Sequence, residues 1–227
     1  MIKPIAVAMT LTFAPALFAQ TYIVPEGDCG AITLHATRGT DFPNLGETIS
    51  ADRVKDAYLY LKKQRVAVKP APSLDFKANV AVDDGVIMAA VDLAPMISGN
   101  ETRTEHAKAL IFCGATPIAD WQRSTGLALE IFPQEWNGSR PHMKQGDTMW
   151  FIAVDKATGK ILRDAPMELF RAGAGRIATG VPNRIGGMTF SYPEPGRYML
   201  STTFRRPDPE KPAQWLVDTS TLTFEIK

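Results

Sequence analysis

The sequence predicts an all-β protein: two immunoglobulin-like antiparallel β-sandwich domains that follow a cleaved signal peptide. Three observations carry this expectation. Apolar and polar residues alternate with a period of two in several segments, helical periodicity is nearly absent, and Pro/Gly/Asn/Asp turn chemistry recurs between the apolar segments. Of the 227 residues, roughly 208 remain after the leader, room for two domains of about 100 residues each.

The leader is residues 1–19. Met1-Ile2-Lys3 precedes an apolar run from Ile5 to Phe18, with small residues at Ala14, Ala16 and Ala19. That run is too short to span a bilayer comfortably, and no stop-transfer pattern follows it. Cleavage after Ala19 leaves Gln20 as the first mature residue; cleavage after Ala16 is the alternative. The expected location is the periplasm, for a protein that is not integral to the membrane.

The first domain is expected over residues 20–114. In Ile32 to Thr37, the residues Ile32, Leu34 and Ala36 share one face while Thr33, His35 and Thr37 share the other. Further strands are expected at Ala57–Leu61, Arg65–Lys69, Val86–Leu93 and Lys108–Cys113, separated by Pro70-Ala71-Pro72, Asp83-Asp84-Gly85 and Ser98-Gly99-Asn100. Ala51 to Lys63 carries only a short amphipathic stripe and reads as strand or loop plus strand.

A linker at 115–126 breaks the pattern, and a second domain is expected over 127–227. Its strands are Leu127–Phe132, Thr148–Val154 and Met167–Arg171, with the Gly173–Arg176 stretch read as a hairpin loop. The strongest alternation comes last, in Met188/Phe190/Tyr192, Tyr198/Leu200/Thr202/Phe204 and Leu222/Phe224/Ile226. Pro193-Glu194-Pro195-Gly196 reads as a tight turn joining the first two of these as an antiparallel pair.

Composition narrows function. The formal charge is +1, with both signs interspersed, so no nucleic-acid footprint exists. Cys29 and Cys113 mature in an oxidising space, which points to a disulfide; their spacing leaves open whether their Cα atoms come within about 7 Å. A nucleophile elbow, metalloprotease helix, phosphate loop and dinucleotide fingerprint are all missing, so a non-enzymatic protein is expected.

Several segments in order resemble an exported domain-of-unknown-function family often labelled NikM-like. They are His106-Ala107-Lys108-Ala109-Leu110-Ile111, Leu129-Glu130-Ile131-Phe132-Pro133, Gly159-Lys160-Ile161-Leu162 with Ala165-Pro166, Pro195-Gly196-Arg197-Tyr198 and Thr221 to Glu225. The resemblance implies an accessory role in nickel or cobalt uptake, a transition-metal ion as cofactor and a metal-uptake system as partner. The family commonly carries a histidine at its mature N-terminus, where this chain has Gln20, a poor ligand for such metals.

The remaining metal candidates are His35, His106 and His142, none of them in local ligand spacing; their plain reading is histidines in loops and on wet strand faces. The competing function is an envelope interaction module that holds a protein or glycan through a loop carrying Trp136, Arg140 and His142. Trp121, Trp150 and Trp215 are the other aromatics considered for such contacts.

Overall fold

In a computed structural model of the chain, the described residues are 19–227 except 28, 62–63, 69–74, 79–84, 114–121 and 135–143, with the backbone alone of 75–78. The leader, apart from Ala19, therefore lies outside the described residues. The strands in chain order are β1 (Gln20–Glu26), β2 (Ile32–Gly39), β3 (Glu47–Thr48), β4 (Val54–Leu61), β5 (Gln64–Ala67), β6 (Asp75–Ala78), β7 (Gly85–Leu93), β8 (Met96–Ser98) and β9 (Glu101–Cys113). They continue with β10 (Leu129–Gln134), β11 (Thr148–Asp155), β12 (Lys160–Ile161), β13 (Met167–Arg171), β14 (Gly175–Gly180), β15 (Gly187–Ser191), β16 (Gly196–Pro207) and β17 (Trp215–Ile226). The only helical turn among the described residues is a short 3₁₀ turn at Ala51–Arg53. No helix among the described residues is long and apolar enough to cross a membrane.

These strands form three sheets. A long sheet runs β14-β13-β16-β17-β9-β7-β4-β5, with β8 added beside β9. A small sheet of β1, β2, β3 and β6 and another of β10, β11, β12 and β15 complete the fold. Side chains alternate across a strand, and the alternation places the two small sheets on opposite faces of the long one. Ile87, Ala89, Val91, Ala107 and Ala109 pack with Ile23, Ile32 and Leu34 of the first small sheet. Val86, Met88 and Leu110 pack instead with Leu129, Ile131, Met149 and Phe151 of the second. The result is immunoglobulin-like sandwich packing on both sides of a shared layer.

Double coverage explains the composition of β7. From Val86 to Leu93 every residue is buried, as expected for a strand without a wet face. The sharing arises because β9 and β17 pair in parallel, from Glu101↔Trp215 to Ala109↔Thr223. The segment expected to divide the chain, 115–126, leads from β9 of the long sheet to β10 of the second small sheet, and its first seven residues lie outside the described ones.

One sequence expectation is overturned. The turn at 193–196 does not join an antiparallel pair: β15 pairs with β11, whereas β16 pairs with β13 and β17. The turn crosses from one sheet to the other. The apolar faces of both strands then meet across the sandwich, where Tyr192 and Tyr198 pack edge to face at 5.1 Å and Phe224 stacks on Tyr198 at 6.1 Å. Facing strands bury both apolar stripes in one core, at about 1.5–3 kcal/mol per large side chain, whereas neighbours in one sheet would each need a separate cover.

Cys29, between β1 and β2, and Cys113, the last residue of β9, form a disulfide with Cα atoms 5.7 Å apart. It ties the first small sheet to the long one across a sequence separation of 84 residues. A loop of that size gives about 4–5 kcal/mol by restricting the unfolded chain. The C29A/C113A variant should lose about that much in urea unfolding, and thiol titration of the denatured native protein should find no free cysteine. A loss below about 1 kcal/mol, or two titratable thiols, would contradict the bridge.

Candidate functional site

The two described histidines, His35 and His106, lie on different sheets. His35 lies on β2 of the first small sheet, half-buried, with Nε2 3.3 Å from Glu26 Oε2. His106 lies on β9 of the long sheet, with a fully buried side chain. His142 lies outside the described residues, as do Trp136 and Arg140 of the expected binding loop and the candidate Trp121. Among the described residues no group of three His, Cys, Asp or Glu side chains is placed to hold a metal ion.

The wet-face reading of His106 is overturned. The residue sits at the centre of a charge ladder that crosses five neighbouring strands in sheet order. Lys55 Nζ on β4 lies 3.1 Å from Asp92 Oδ2 on β7, and Asp92 Oδ1 lies 2.7 Å from His106 Nδ1. On the other side His106 Nε2 is 3.6 Å from Asp218 Oδ1 on β17, whose Oδ2 is 2.8 Å from Arg206 Nη1 on β16. The alternation of sign follows from register, since Asp92 is directly opposite His106. Burial pushes the imidazole pKa down, but the two carboxylates outweigh it and hold the value above the ordinary histidine range. A protonated ring has no lone pair to offer a metal, and a ring without exposed surface offers a substrate no approach.

A second buried charge sits two residues further along β9. Lys108 Nζ lies 2.7 Å from Glu130 Oε1 on β10, with both side chains almost fully buried. Glu130 also accepts from Thr125 N and Thr125 Oγ1 at 2.8 Å and from Ser124 Oγ at 2.8 Å. This carboxylate thereby fixes the loop that leads into β10.

Concave sites are modest. The crevice where β9 and β17 part, about 190 Å³ and walled by Leu110, Phe112 and Phe224, is smaller than the roughly 300 Å³ usual for a small-molecule site. A trough of about 410 Å³ beside residues 39–47 is open, with Arg38, Asp41, Asn44 and Glu47 beside Tyr22 and Leu45 on its walls.

The exposed apolar surface is more informative. Among the described residues the exposed large aliphatic side chains are Leu45, Val66, Ile97, Ile161, Ile177, Val181 and Ile185. Four of the seven fall between 161 and 185, on β12, β14 and the loop after β14, and Val181 is 79% exposed. The loop is held in one shape: Asn183 Oδ1 accepts from Ile185 N and Gly187 N, both at 3.0 Å, and Asn183 N donates to Gly187 O at 2.9 Å.

Two glycines set this loop against its neighbours. Gly186 has φ +85, and a Cβ there would collide with Ile161 Cγ2 at 2.3 Å. A Cβ on Gly187 would overlap the Trp150 ring at 1.6 Å, so that indole lies directly on the glycine. The loop therefore presses onto β12 and continues the outer face of β11, where Trp150, Ile152 and Val154 are partly exposed. Trp215, by contrast, is covered by the Arg205 guanidinium 3.7 Å above its ring.

Sequence reasoning missed this face because it is assembled from three short segments, β11, β12 and the 181–186 loop. The available signal was the pair of aliphatic residues Val181 and Ile185 inside a stretch otherwise rich in Gly, Pro, Asn and Arg. The Gly173–Arg176 stretch does form a hairpin turn, leading into β14 paired to β13.

No family model and no curated protein matches the chain. Solved structures similar to it include a tetra-tandem repeat from the extending region of a large adhesion protein, at 7% identity over 92% of this chain and 49% of that one, TM-score 0.27. Others are a 1.5-MDa bacterial ice-binding adhesin (9% identity, 92% of this chain, 66% of that one, TM-score 0.26) and the D0-D1 domain of intimin (12%, 90%, 97%, 0.24). The chain spans about half the length of the first of these. The likeness is one of fold alone.

The His106 ladder makes stability depend on pH in a definite direction. A raised folded-state histidine pKa contributes stability that is fully present below the unfolded value, about 6.5, and is lost as pH rises through the folded value. Asp92, which is held below the ordinary carboxylate range by His106 and Lys55 despite its burial, acts oppositely, its contribution vanishing only as pH falls through its lowered value. Urea midpoints measured against pH should therefore decline above about pH 6.5 in the wild type, and His106→Gln should flatten that decline. Parallel curves for the two proteins would contradict the ladder.

Proposed function

We propose that the protein is an exported, non-enzymatic accessory module of the cell envelope that binds a macromolecular partner through the outer face of β11 and β12 and the 181–186 loop. The single observation that carries this reading is the set of exposed aliphatic side chains Ile161, Val181 and Ile185 on and beside a hydrogen-bonded loop. Water-exposed apolar groups in one place favour burial against a partner, and a loop already held in shape loses little freedom when it binds. The cysteine bridge supports maturation in an oxidising compartment.

The metal-uptake reading implied by the family resemblance has less behind it. His106 faces two carboxylates with both ring nitrogens, and Gln20 stands where a terminal ligand would be needed.

Co-sedimentation of the purified protein with the envelope fraction of the producing cell tests the proposal. Two aliphatic side chains at about 1.5 kcal/mol each predict that V181D/I185D is retained at least about tenfold less well. Ile97→Asp, which alters an equally exposed isoleucine elsewhere, should leave retention unchanged. Equal retention of all three proteins, or equal loss in both variants, would overturn the reading.

A further inference from the structure

We infer that the crevice between the ends of β9 and β17 is a binding site for a small uncharged molecule, one ring or an aliphatic group of that size, bearing a single hydrogen-bonding group. The crevice exists because the two strands stop pairing before they end. Their shared register closes at Ala109↔Thr223, yet β9 runs on beside β7 to Cys113 and β17 runs on beside β16 to Ile226. The disulfide holds the end of β9 to the segment after β1, whereas Phe224 and Ile226 keep the end of β17 in the second sandwich core. A gap therefore opens in the long sheet, with Pro25 of β1 and Gly27 just beyond it on one wall.

One buried group singles this crevice out. Thr221 Oγ1 donates to Thr21 O on β1 at 2.7 Å, so Thr223, two residues on, turns its side chain to the same face and lines the crevice beside the end of β1. Thr223 is 1% exposed, and its hydroxyl has no hydrogen-bond partner among the described residues. Buried polar side chains are paired in the large majority of cases, and an unpaired one on the wall of a cavity marks where the polar atom of a ligand would sit. The buried hydroxyls of Tyr192 and Ser220 are unpaired as well, but neither lines this crevice or the trough at 39–47.

Size and charge set the class of ligand. A volume of about 190 Å³ exceeds the roughly 150 Å³ of an apolar cavity that holds benzene and falls short of a drug-sized site. The buried walls are apolar, from Leu110 and Phe224, with half-buried Phe112 beside them. The charged lining residues are half-buried Arg197 and exposed Lys227 and Glu225, so both signs are present and no charged group lining the crevice is buried. An ion drawn down to Thr223 would lose its hydration without gaining a buried partner. An uncharged molecule avoids that cost, and its one donor or acceptor meets a hydroxyl that can serve as either.

The test is two-dimensional amide NMR of the whole protein titrated with phenol, benzene and benzoate, repeated on Thr223→Val, which keeps the shape of the side chain and removes the hydroxyl. Phenol should give saturable shifts at the amides of 110–112 and 223–226. Benzene should bind there about fivefold more weakly for want of the hydrogen bond, and benzoate more weakly than phenol. In Thr223→Val phenol should fall to the affinity of benzene while benzene keeps its own, which separates a lost hydroxyl from a lost fold. If the variant fails to fold, the ratio of phenol to benzene affinity in the wild type decides alone. No saturable shift at these amides, equal affinity for phenol and benzene, benzoate bound as tightly as phenol, or full phenol affinity in a folded Thr223→Val would overturn the inference. None of the lining residues belongs to β11, β12 or the 181–186 loop, so the docking face and the crevice stand or fall separately.

Discussion

The parallel pairing of β9 with β17 is the constraint on which the rest of the molecule depends. It joins residues more than a hundred positions apart, Glu101 to Trp215 at one end and Ala109 to Thr223 at the other. Parallel strands are stable chiefly where both faces are covered, and here the two small sheets supply the covers. The central strands thereby lose their wet face over most of their length. The charged side chains buried on them then need partners inside the protein, although the hydroxyls of Ser220 and Thr223 on β17 have none among the described residues.

β9 shows what this requires. His106 and Lys108 point to one face of the sheet, and each meets carboxylates at the spacing that neighbouring strands impose. On the opposite face Glu105 receives Arg38 Nε at 3.1 Å and the hydroxyl of Thr21. Burying paired charges adds little net stability compared with apolar residues of similar shape, but breaking one pair leaves a costly unpaired charge. A slip of β9 by one residue would send Lys108 into the core of Ile87, Ala89 and Leu34. The charges thus hold the register of the strand that the whole sheet shares.

Much of the fold was legible in the sequence where the information is local. The alternation in β2, β16 and β17 and the unbroken apolar run of β7 follow from side-chain period and burial alone, and the Ser98–Asn100 turn follows from Gly99, whose φ is +61. What escaped is non-local. Nothing near Glu101–His106 announces a partner strand at 215–223, so the strand reads only from Lys108 onward, and His106 reads as wet. The 193–196 turn misled for the same reason: a tight Pro/Gly turn fits a hairpin as well as a crossing between sheets, and only the packing of Tyr192 on Tyr198 selects the latter. The candidate face is illegible because Trp150, Ile161 and Ile185 meet only after β11, β12 and the 181–186 loop are in place.

That face is therefore a product of the shared sheet, which fixes β13 and β14 beside the second sandwich core. The most direct measurement of the central claim is residue-resolved hydrogen exchange of the amides in 101–109 and 215–223 across a urea series. A shared sheet predicts that both groups exchange only through one global opening, with the same free energy and the same urea dependence. Loss of protection in one strand while the other stays fully protected would show two halves that open independently, and would contradict it.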